Sequence, residues 1–151
     1  MRLTETVEYV TWPETHYVFV EKTGSIPKNA PQTWQEFHRA LPELKAHAVI
    51  TGFLSLYNME RQVYRAGASV ASEPAHLPAN LKYERFPGGK YARFVLTGPY
   101  SELPAATTRV VQIVSEKKIP LRDDFHIEHY VNDPQTTPED KLVTEILFPV
   151  K

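Results

Sequence analysis

The chain has 151 residues, a formal net charge of −1, 42% hydrophobic residues and no cysteine. This length fits one domain of ordinary size, with a core that needs no covalent staple. The lack of cysteine excludes disulfides, thiolate nucleophiles and cysteine-based zinc sites. The lack of a long basic run argues against direct binding to nucleic acid or to a membrane surface. No apolar run is long enough to span a bilayer and no signal peptide is evident, so we expect a cytoplasmic protein.

The first half of the chain predicts two strands, a helix and two more strands. The strand segments are rich in β-branched and aromatic residues, and the helix shows apolar residues at helical spacing. Residues 25–32 contain two prolines and predict a loop before the helix. The predicted strands are 7–13, 16–24, 50–58 and 62–72, and the predicted helix runs from Thr33 to about Leu44.

The second half predicts the same order of elements. Gly88 and Gly89 predict a two-residue hairpin loop, because both glycines accept positive φ angles. Thr137 followed by Pro138 predicts a short capped helical turn. The predicted strands are 81–87, 90–98, 124–132 and 142–150, and the predicted helix is 99–118.

The two halves also repeat each other in sequence. Residues 7–24 align without a gap with residues 81–98, and the alignment places Tyr17 on Tyr91 and Gly24 on Gly98. Chance similarity between hairpin-rich segments is the alternative explanation. We expect one domain over 1–151, with repeat one at about 5–72 and repeat two at about 80–151. The expected fold is α+β: a duplicated unit of two strands, a helix and two strands, with antiparallel sheets, two main helices and a pseudo-twofold central cleft.

Polar and aromatic side chains alternate along one strand of each repeat. His126, Glu128 and Tyr130 are two residues apart and therefore share one side of their strand. The counterparts in the first repeat are Phe53, Ser55 and Tyr57. We expect both sets to face the cleft. The residues expected beneath the helices are Ile127 and Val131 in one strand and Leu54 and Leu56 in the other.

Glu128 is the central candidate of the predicted site. Burial raises the pKa of a carboxyl group and a bound cation lowers it, so a buried carboxylate favours a cationic ligand. Aromatic walls add cation–π attraction, and we expect Tyr17, Phe19 and Tyr91 to contribute to them. The alternative is that Glu128 lies on a solvated strand face, paired with Arg93 or Lys82.

Other chemistries fit this sequence poorly. His126-Ile127-Glu128 matches the H-x-E motif of zinc deaminases, but the cysteine pair that completes that site is absent. His126 and His129 point to opposite sides of a strand, and no third ligand is evident. No nucleotide-binding glycine pattern is present. We therefore expect no metal and no cofactor.

The segment "FHIEHYVNDPQTTPEDKLVTEILFPV", residues 125–150, resembles the closing segment of the GyrI-like small-molecule-binding family. The shared pattern is a glutamate two residues before a tyrosine, then Asn-Asp-Pro, a "TPED" turn and a "TEI" strand. "GGKYARFVLTGPYSELPAA", residues 88–106, is similar to the middle of that family, including its Gly-Pro-Tyr helix lead. One departure is Leu147, where the family often has an aromatic residue.

The resemblance implies an α+β fold made of a duplicated β-α-β-β unit, with a ligand cleft that holds the family's acidic residue at Glu128. Related domains form the effector-binding part of AraC-type and MerR-type multidrug regulators, and some stand-alone members are hydrolases of cyclopropane-containing toxins. We expect a stand-alone binder of small aromatic molecules, including cationic ones, that is either monomeric or a weak homodimer. One alternative is a hydrolase with Glu128 as general base and Tyr130 as its catalytic partner. The other alternative is an inhibitor that binds gyrase through a protein surface.

Overall fold

A computed structural model describes all 151 residues and contains nine strands and two α-helices. The fold is α+β, as expected. The helices are α1 (Ile26–Lys45) and α2 (Leu103–Glu116). The strands are β1 (Arg2–Leu3), β2 (Glu8–Trp12), β3 (Thr15–Thr23), β4 (Ile50–Asn58), β5 (Val63–Val70), β6 (Lys82–Phe86), β7 (Gly89–Thr97), β8 (His126–Tyr130) and β9 (Val143–Pro149). Two 3₁₀ turns lie at Tyr100–Glu102 and Glu139–Lys141.

The chain forms two compact units. Unit 1 comprises Met1–Trp12 and Gly89–Lys151, and unit 2 comprises Pro13–Gly88. In unit 1, β7 pairs with β1 and β2 on one edge and with β9 on the other, and β9 pairs with β8. In unit 2 the strand order is β4-β5-β3-β6. All of these pairings are antiparallel.

The short turns at 13–15 and 88–89 predict that β2 pairs with β3 and that β6 pairs with β7, and neither pairing is observed. β6 pairs with β3 rather than with β7, so the hairpin predicted at Gly88-Gly89 is wrong. β7 pairs instead with β2. Between β3 and β6, Nδ1 of His16 lies 2.6 Å from the hydroxyl oxygen of Tyr83 and forms a hydrogen bond with it. Both glycines do have positive φ angles, of 74° and 128°. The turn chemistry was therefore correct, but long-range strand pairing decided which edges meet.

Helix α1 begins seven residues earlier than the sequence predicted. It starts at Ile26, and Pro27 and Pro31 lie inside it. Pro27 is tolerated because N–H groups in the first turn have no intrahelical partner. The predicted apolar stripe is confirmed, since Phe37 and Leu44 are fully buried. The predicted cap at Thr137 is absent, because the turn there is 3₁₀ and has no side-chain cap.

Each helix covers one side of its own sheet, which we call the helix side. In unit 2 the helix side carries Val18 and Val20, packed with the apolar face of α1. In unit 1 it carries Ala92 and Phe94, packed with α2. The sequence predicts the helix side for all four, because the repeat aligns Val18 with Ala92 and Val20 with Phe94. The residues predicted as the buried face of α2, which are Leu103, Val110, Ile113 and Val114, all belong to the same core.

Candidate functional site

Strand β8 places the three central candidates on one side of its sheet, as predicted. Glu128 pairs with Ile146 of β9, and Ile146 belongs to the core beneath α2. His126 contacts the ring of Phe148 at 4.5 Å between centroids, and Tyr130 packs against the same core. The shared side is therefore the helix side of unit 1.

The expectation that Ile127 would lie beneath the helix is wrong. Ile127 pairs with Leu147, and both are fully buried on the opposite side of the sheet. The expectation for Ile127 holds only where the helix side alone excludes water. Because both sides are buried here, hydrophobicity alone could not assign them.

Glu128 is half-buried and makes a single side-chain hydrogen bond. The hydroxyl of Tyr130 donates to its Oε1 at 2.6 Å. No lysine, arginine or histidine forms an ion pair with it, so pairing with Arg93 or Lys82 is not observed: Arg93 bonds to Glu8 and Glu145, and Lys82 lies near Glu21. Burial raises the pKa of Glu128, and the bond from Tyr130 partly opposes that shift.

Tyr100 extends the aromatic surroundings of Glu128. Its ring meets that of Tyr130 edge-on, with centroids 5.5 Å apart. Its pKa is raised by burial first and then by the negative charges of Asp133 and Glu128. Tyr100 is not among the predicted site residues. It lies in the Gly-Pro-Tyr helix lead, and that motif could have indicated its place in the site.

The candidates Phe53 and Tyr57 lie on the helix side of unit 2. The ring of Phe53 meets that of Phe37 at 6.4 Å, and Tyr57 stacks with Tyr64 at 6.5 Å. Leu54 therefore faces the opposite side, where its carbonyl accepts a bond from Tyr17. The sequence placed Phe53 and Tyr57 away from the helix, and that assignment is wrong. A strand offers only two sides, so choosing the wrong one reverses every side chain.

The remaining three candidates lie on the sides away from the helices. Tyr17 is fully buried and stacks on Phe19 at 5.1 Å. Tyr91 donates its hydroxyl to the carbonyl of Phe125 at 2.8 Å, and the guanidinium of Arg122 lies 5.1 Å from its ring centre. Ring stacking holds Tyr17 and Phe19 in the packed interior, and the hydrogen bond and the cation–π contact hold Tyr91. The structure therefore does not bring them to the side that carries Glu128.

A second polar cluster occupies the side of unit 1 away from α2. Glu145 bonds to Arg93 at 2.5 Å and to Nδ1 of His129 at 2.6 Å, and Arg93 also bonds to Glu8 at 3.0 Å. The His129 bond and then the Arg93 charge lower the pKa of Glu145, against an opposing contribution from burial. The charge of Glu145 is therefore compensated by Arg93 and His129, whereas Glu128 has only the hydroxyl of Tyr130 as a partner.

No cluster of metal-ligating side chains surrounds Glu128. The chain contains no group of three or more histidine, aspartate or glutamate side chains that could hold a metal ion. A half-buried carboxylate with a phenol donor can bind a positive charge or accept a proton. No helix is long and apolar enough to cross a membrane.

Comparisons with solved structures give the same fold. The C-terminal domain of EcmrR has a TM-score of 0.79 at 16% identity, with 97% of each chain covered. SAV2435 bound to tetraphenylphosphonium has a TM-score of 0.77 at 16% identity, covering 97% of this chain and 94% of that one. A hydrolase from Listeria innocua has a TM-score of 0.59 at 15% identity, covering 97% and 92%. At these identities the likeness concerns the fold alone.

This chain aligns with only part of the length of EcmrR. The EcmrR chain of an EcmrR–DNA complex has a TM-score of 0.76 at 17% identity, and the alignment covers 97% of this chain and 57% of that one. A search of curated protein sequences found no match.

The sequence profile of one domain matches almost the entire chain. That profile describes the GyrI-like small molecule binding domain, and the match extends over residues 5–151. The resemblance noted in the closing segment is thereby confirmed, and the chain belongs to the GyrI-like small-molecule-binding domain family.

Proposed function

We propose that this chain binds small aromatic cations and that Glu128 recognises their positive charge. The observation that carries the proposal is the state of this carboxylate: it is half-buried, accepts one bond from Tyr130 and has no ion-pair partner. Removing a carboxylate from water without a counter-charge is unfavourable. A cationic ligand supplies the missing charge and relieves that penalty.

Two tyrosines give the site its preference for aromatic ligands. The rings of Tyr130 and Tyr100 meet edge-on beside the carboxylate. Cation–π attraction to such rings contributes roughly 0.5–2 kcal/mol for each contact. SAV2435, which has the same fold, was solved with tetraphenylphosphonium, a cation that carries four phenyl rings. That ligand is a suitable first probe.

Calorimetric titration with tetraphenylphosphonium tests the proposal. Glu128→Gln preserves the shape of the side chain and removes its charge, so we expect roughly a tenfold or greater loss of affinity. The matched control is Glu73→Gln, an exposed residue of the segment between β5 and β6, which should bind as the wild type does. Neutral triphenylphosphine oxide should bind both proteins weakly and equally. Equal affinity of wild type and Glu128→Gln for the cation would refute the role of Glu128.

The pH dependence of binding follows from the raised pKa of Glu128. The cation requires the ionised carboxylate, whereas burial favours the protonated form. Affinity for a permanently charged ligand should therefore decrease as the pH falls through the raised pKa, and binding near that pKa should release protons. Titrations in buffers of different ionisation enthalpy measure that release, which should vanish in Glu128→Gln.

Hydrolysis of an electrophilic ligand is the second candidate function. The raised pKa of Glu128 suits a general base, and Tyr130 provides a hydroxyl donor beside it. Glu128 would take a proton from water as the water oxygen bonds to a strained cyclopropane carbon. The broken C–C bond would leave its electron pair on a conjugated carbonyl, whose oxygen Tyr130 would stabilise. Glu128 would then return the proton to that enolate, which completes the ring-opened alcohol and restores the carboxylate. The structural neighbour described as a hydrolase lends support from the fold alone.

Turnover separates the two functions. A binder protects at most one ligand per site, whereas an enzyme consumes a molar excess of an activated cyclopropane substrate. Chromatographic measurement of the ring-opened alcohol, with Glu128→Gln as the inactive control, decides between them. If the wild type forms no product beyond the uncatalysed rate, the hydrolase candidate is eliminated and the binding proposal is unaffected.

A further inference from the structure

Thr144 carries a buried hydroxyl that bonds to no other protein atom. Its side chain is 0% exposed, and its Oγ1 has neither a donor nor an acceptor among the protein groups. Most buried polar atoms in folded proteins have a partner, because an unpaired one loses its hydrogen bonds to water without replacement. Valine has nearly the same shape and would avoid this penalty. The hydroxyl therefore calls for an explanation.

The strand register places Thr144 beside the residues of the Glu128 site. Thr144 pairs with Tyr130 of β8 and with Leu96 of β7. It shares the helix side of β9 with Ile146, which is two residues further along and belongs to the core beneath α2. The unpaired hydroxyl is thus on the same side of the sheet as Glu128.

Glu128 is the diagonal neighbour of Thr144 across the two strands. Glu128 pairs with Ile146, and Thr144 pairs with Tyr130. Diagonal cross-strand neighbours lie about 7–8 Å apart, with their Cβ atoms somewhat closer, which is within reach of one small polar group held between their side chains. A ligand whose charged group bonds to Glu128 can therefore also reach the hydroxyl of Thr144.

Tyr130 and Tyr100 cover this part of the site. Tyr130 lies directly opposite Thr144, its hydroxyl bonds to Glu128, and its ring is met edge-on by that of Tyr100. Because Thr144 is fully buried, a ligand contacts its hydroxyl only after a neighbouring side chain moves, and Tyr130 is the neighbour that also bonds to Glu128. Release of the Tyr130–Glu128 bond would free the carboxylate in the same movement.

We propose that Thr144 is a specificity-determining residue whose hydroxyl, together with Glu128, selects aryl-alkyl primary ammonium ions over quaternary ammonium ions. The inference rests on the proposed binding function and names the ligand class of the same site. A primary ammonium group has three N–H donors, so it can bond to Glu128 and Thr144 at the same time. A trimethylammonium group has the same charge but no donor, so it uses Glu128 alone.

A matched pair of ligands isolates this contribution. The probes are 3,3-diphenylpropylammonium and 3,3-diphenylpropyl-trimethylammonium, which share their aromatic part and their charge. Calorimetry on the full chain gives the ratio of their dissociation constants for wild type, Thr144→Val and Thr144→Ser. The matched control is Thr11→Val, an exposed threonine of β2. Thermal unfolding of each variant without ligand verifies that it is folded.

We expect Thr144→Val to weaken binding of the primary ammonium roughly tenfold and to leave the trimethylammonium affinity unchanged. Thr144→Ser, which retains the hydroxyl, should restore most of the preference, and Thr11→Val should behave as the wild type does. An unchanged affinity ratio in Thr144→Val, with trimethylammonium binding intact, would overturn the role of Thr144 alone. If the wild type binds neither probe and does not bind tetraphenylphosphonium, the proposed function itself fails and this inference fails with it.

Discussion

Two glutamates on neighbouring strands show opposite pKa shifts. Glu128 on β8 is half-buried without a cationic partner, and burial raises its pKa. Glu145 on β9 bonds to His129 and Arg93, and these partners lower its pKa. Burial is the main cause of the shift at Glu128, whereas at Glu145 the partners outweigh the effect of burial. A fully compensated carboxylate stabilises the fold, whereas an uncompensated one is available to a ligand or a proton.

Replacement of Glu145 should weaken the fold in a pH-dependent way. Glu145→Gln removes the charged partner of Arg93 and His129, and we expect a loss of about 1.5–3 kcal/mol in the free energy of unfolding near neutral pH. A carboxyl group with a lowered pKa stabilises the fold above its ordinary value of 4.5, and that stabilisation is lost as the pH falls through the lowered folded-state pKa. The difference between variant and wild type should therefore shrink in acid.

Urea unfolding at about pH 7 and at about pH 3.5 measures this difference. Glu73→Gln, on an exposed and uncompensated residue, serves as the control and should unfold like the wild type at both values. A deficit of the same size at both pH values would mean that packing, rather than charge compensation, explains the contribution of Glu145.

At the scale of the element, strand β5 depends on a close backbone approach at Gly67. This residue pairs with Phe19 of β3 on one side and with Leu54 of β4 on the other. A Cβ atom added there would lie 2.2 Å from the carbonyl oxygen of Val18 and 2.8 Å from the Cβ of Phe19. The central strand of unit 2 can therefore keep its present position only with glycine at this residue.

Gly67→Ala should destabilise the protein by about 1–3 kcal/mol or more, because the strands must separate to admit the methyl group. Thermal unfolding measures the loss, and amide exchange should show weakened protection in β3 and β5. Glu60→Ala, in the exposed turn between β4 and β5, should change the stability by less than about 0.5 kcal/mol. Wild-type stability of Gly67→Ala would show that the strands adjust at no cost.

At the scale of the whole molecule, each compact unit contains a strand from the other half of the sequence. Unit 1 contains β2, which comes from the first repeat, and unit 2 contains β6, which comes from the second. The sequence repeats and the compact units consequently have different boundaries. The duplication itself stays a prediction from the alignment of residues 7–24 with 81–98.

Division of the chain between Ala75 and His76 should therefore give two fragments that do not fold alone. The first fragment lacks β6 and the second lacks β2, so each would expose an unpaired sheet edge and lose part of its core. We expect disordered spectra by circular dichroism for each fragment alone. Co-expressed fragments should elute together and show native-like spectra. A cooperative unfolding transition in either isolated fragment would contradict the exchange of strands.

The sequence by itself determined the fold class, the family and most of the elements. It also placed His126, Glu128 and Tyr130 on one side of a strand, because alternation along a strand is a local property of the backbone. Its errors at α1 and at the Gly88-Gly89 turn arose where proline and glycine preferences were treated as decisive.

Only the tertiary structure decided which side of each sheet faces its helix and which strand edges pair. Tyr17, Leu54 and Ile127 are fully buried on the sides away from the helices, so an apolar pattern could not distinguish the two sides. Tyr100 and Thr144 reach the surroundings of Glu128 through a ring contact and a strand register that join distant parts of the chain. Such contacts depend on long-range packing, which local sequence preferences do not encode.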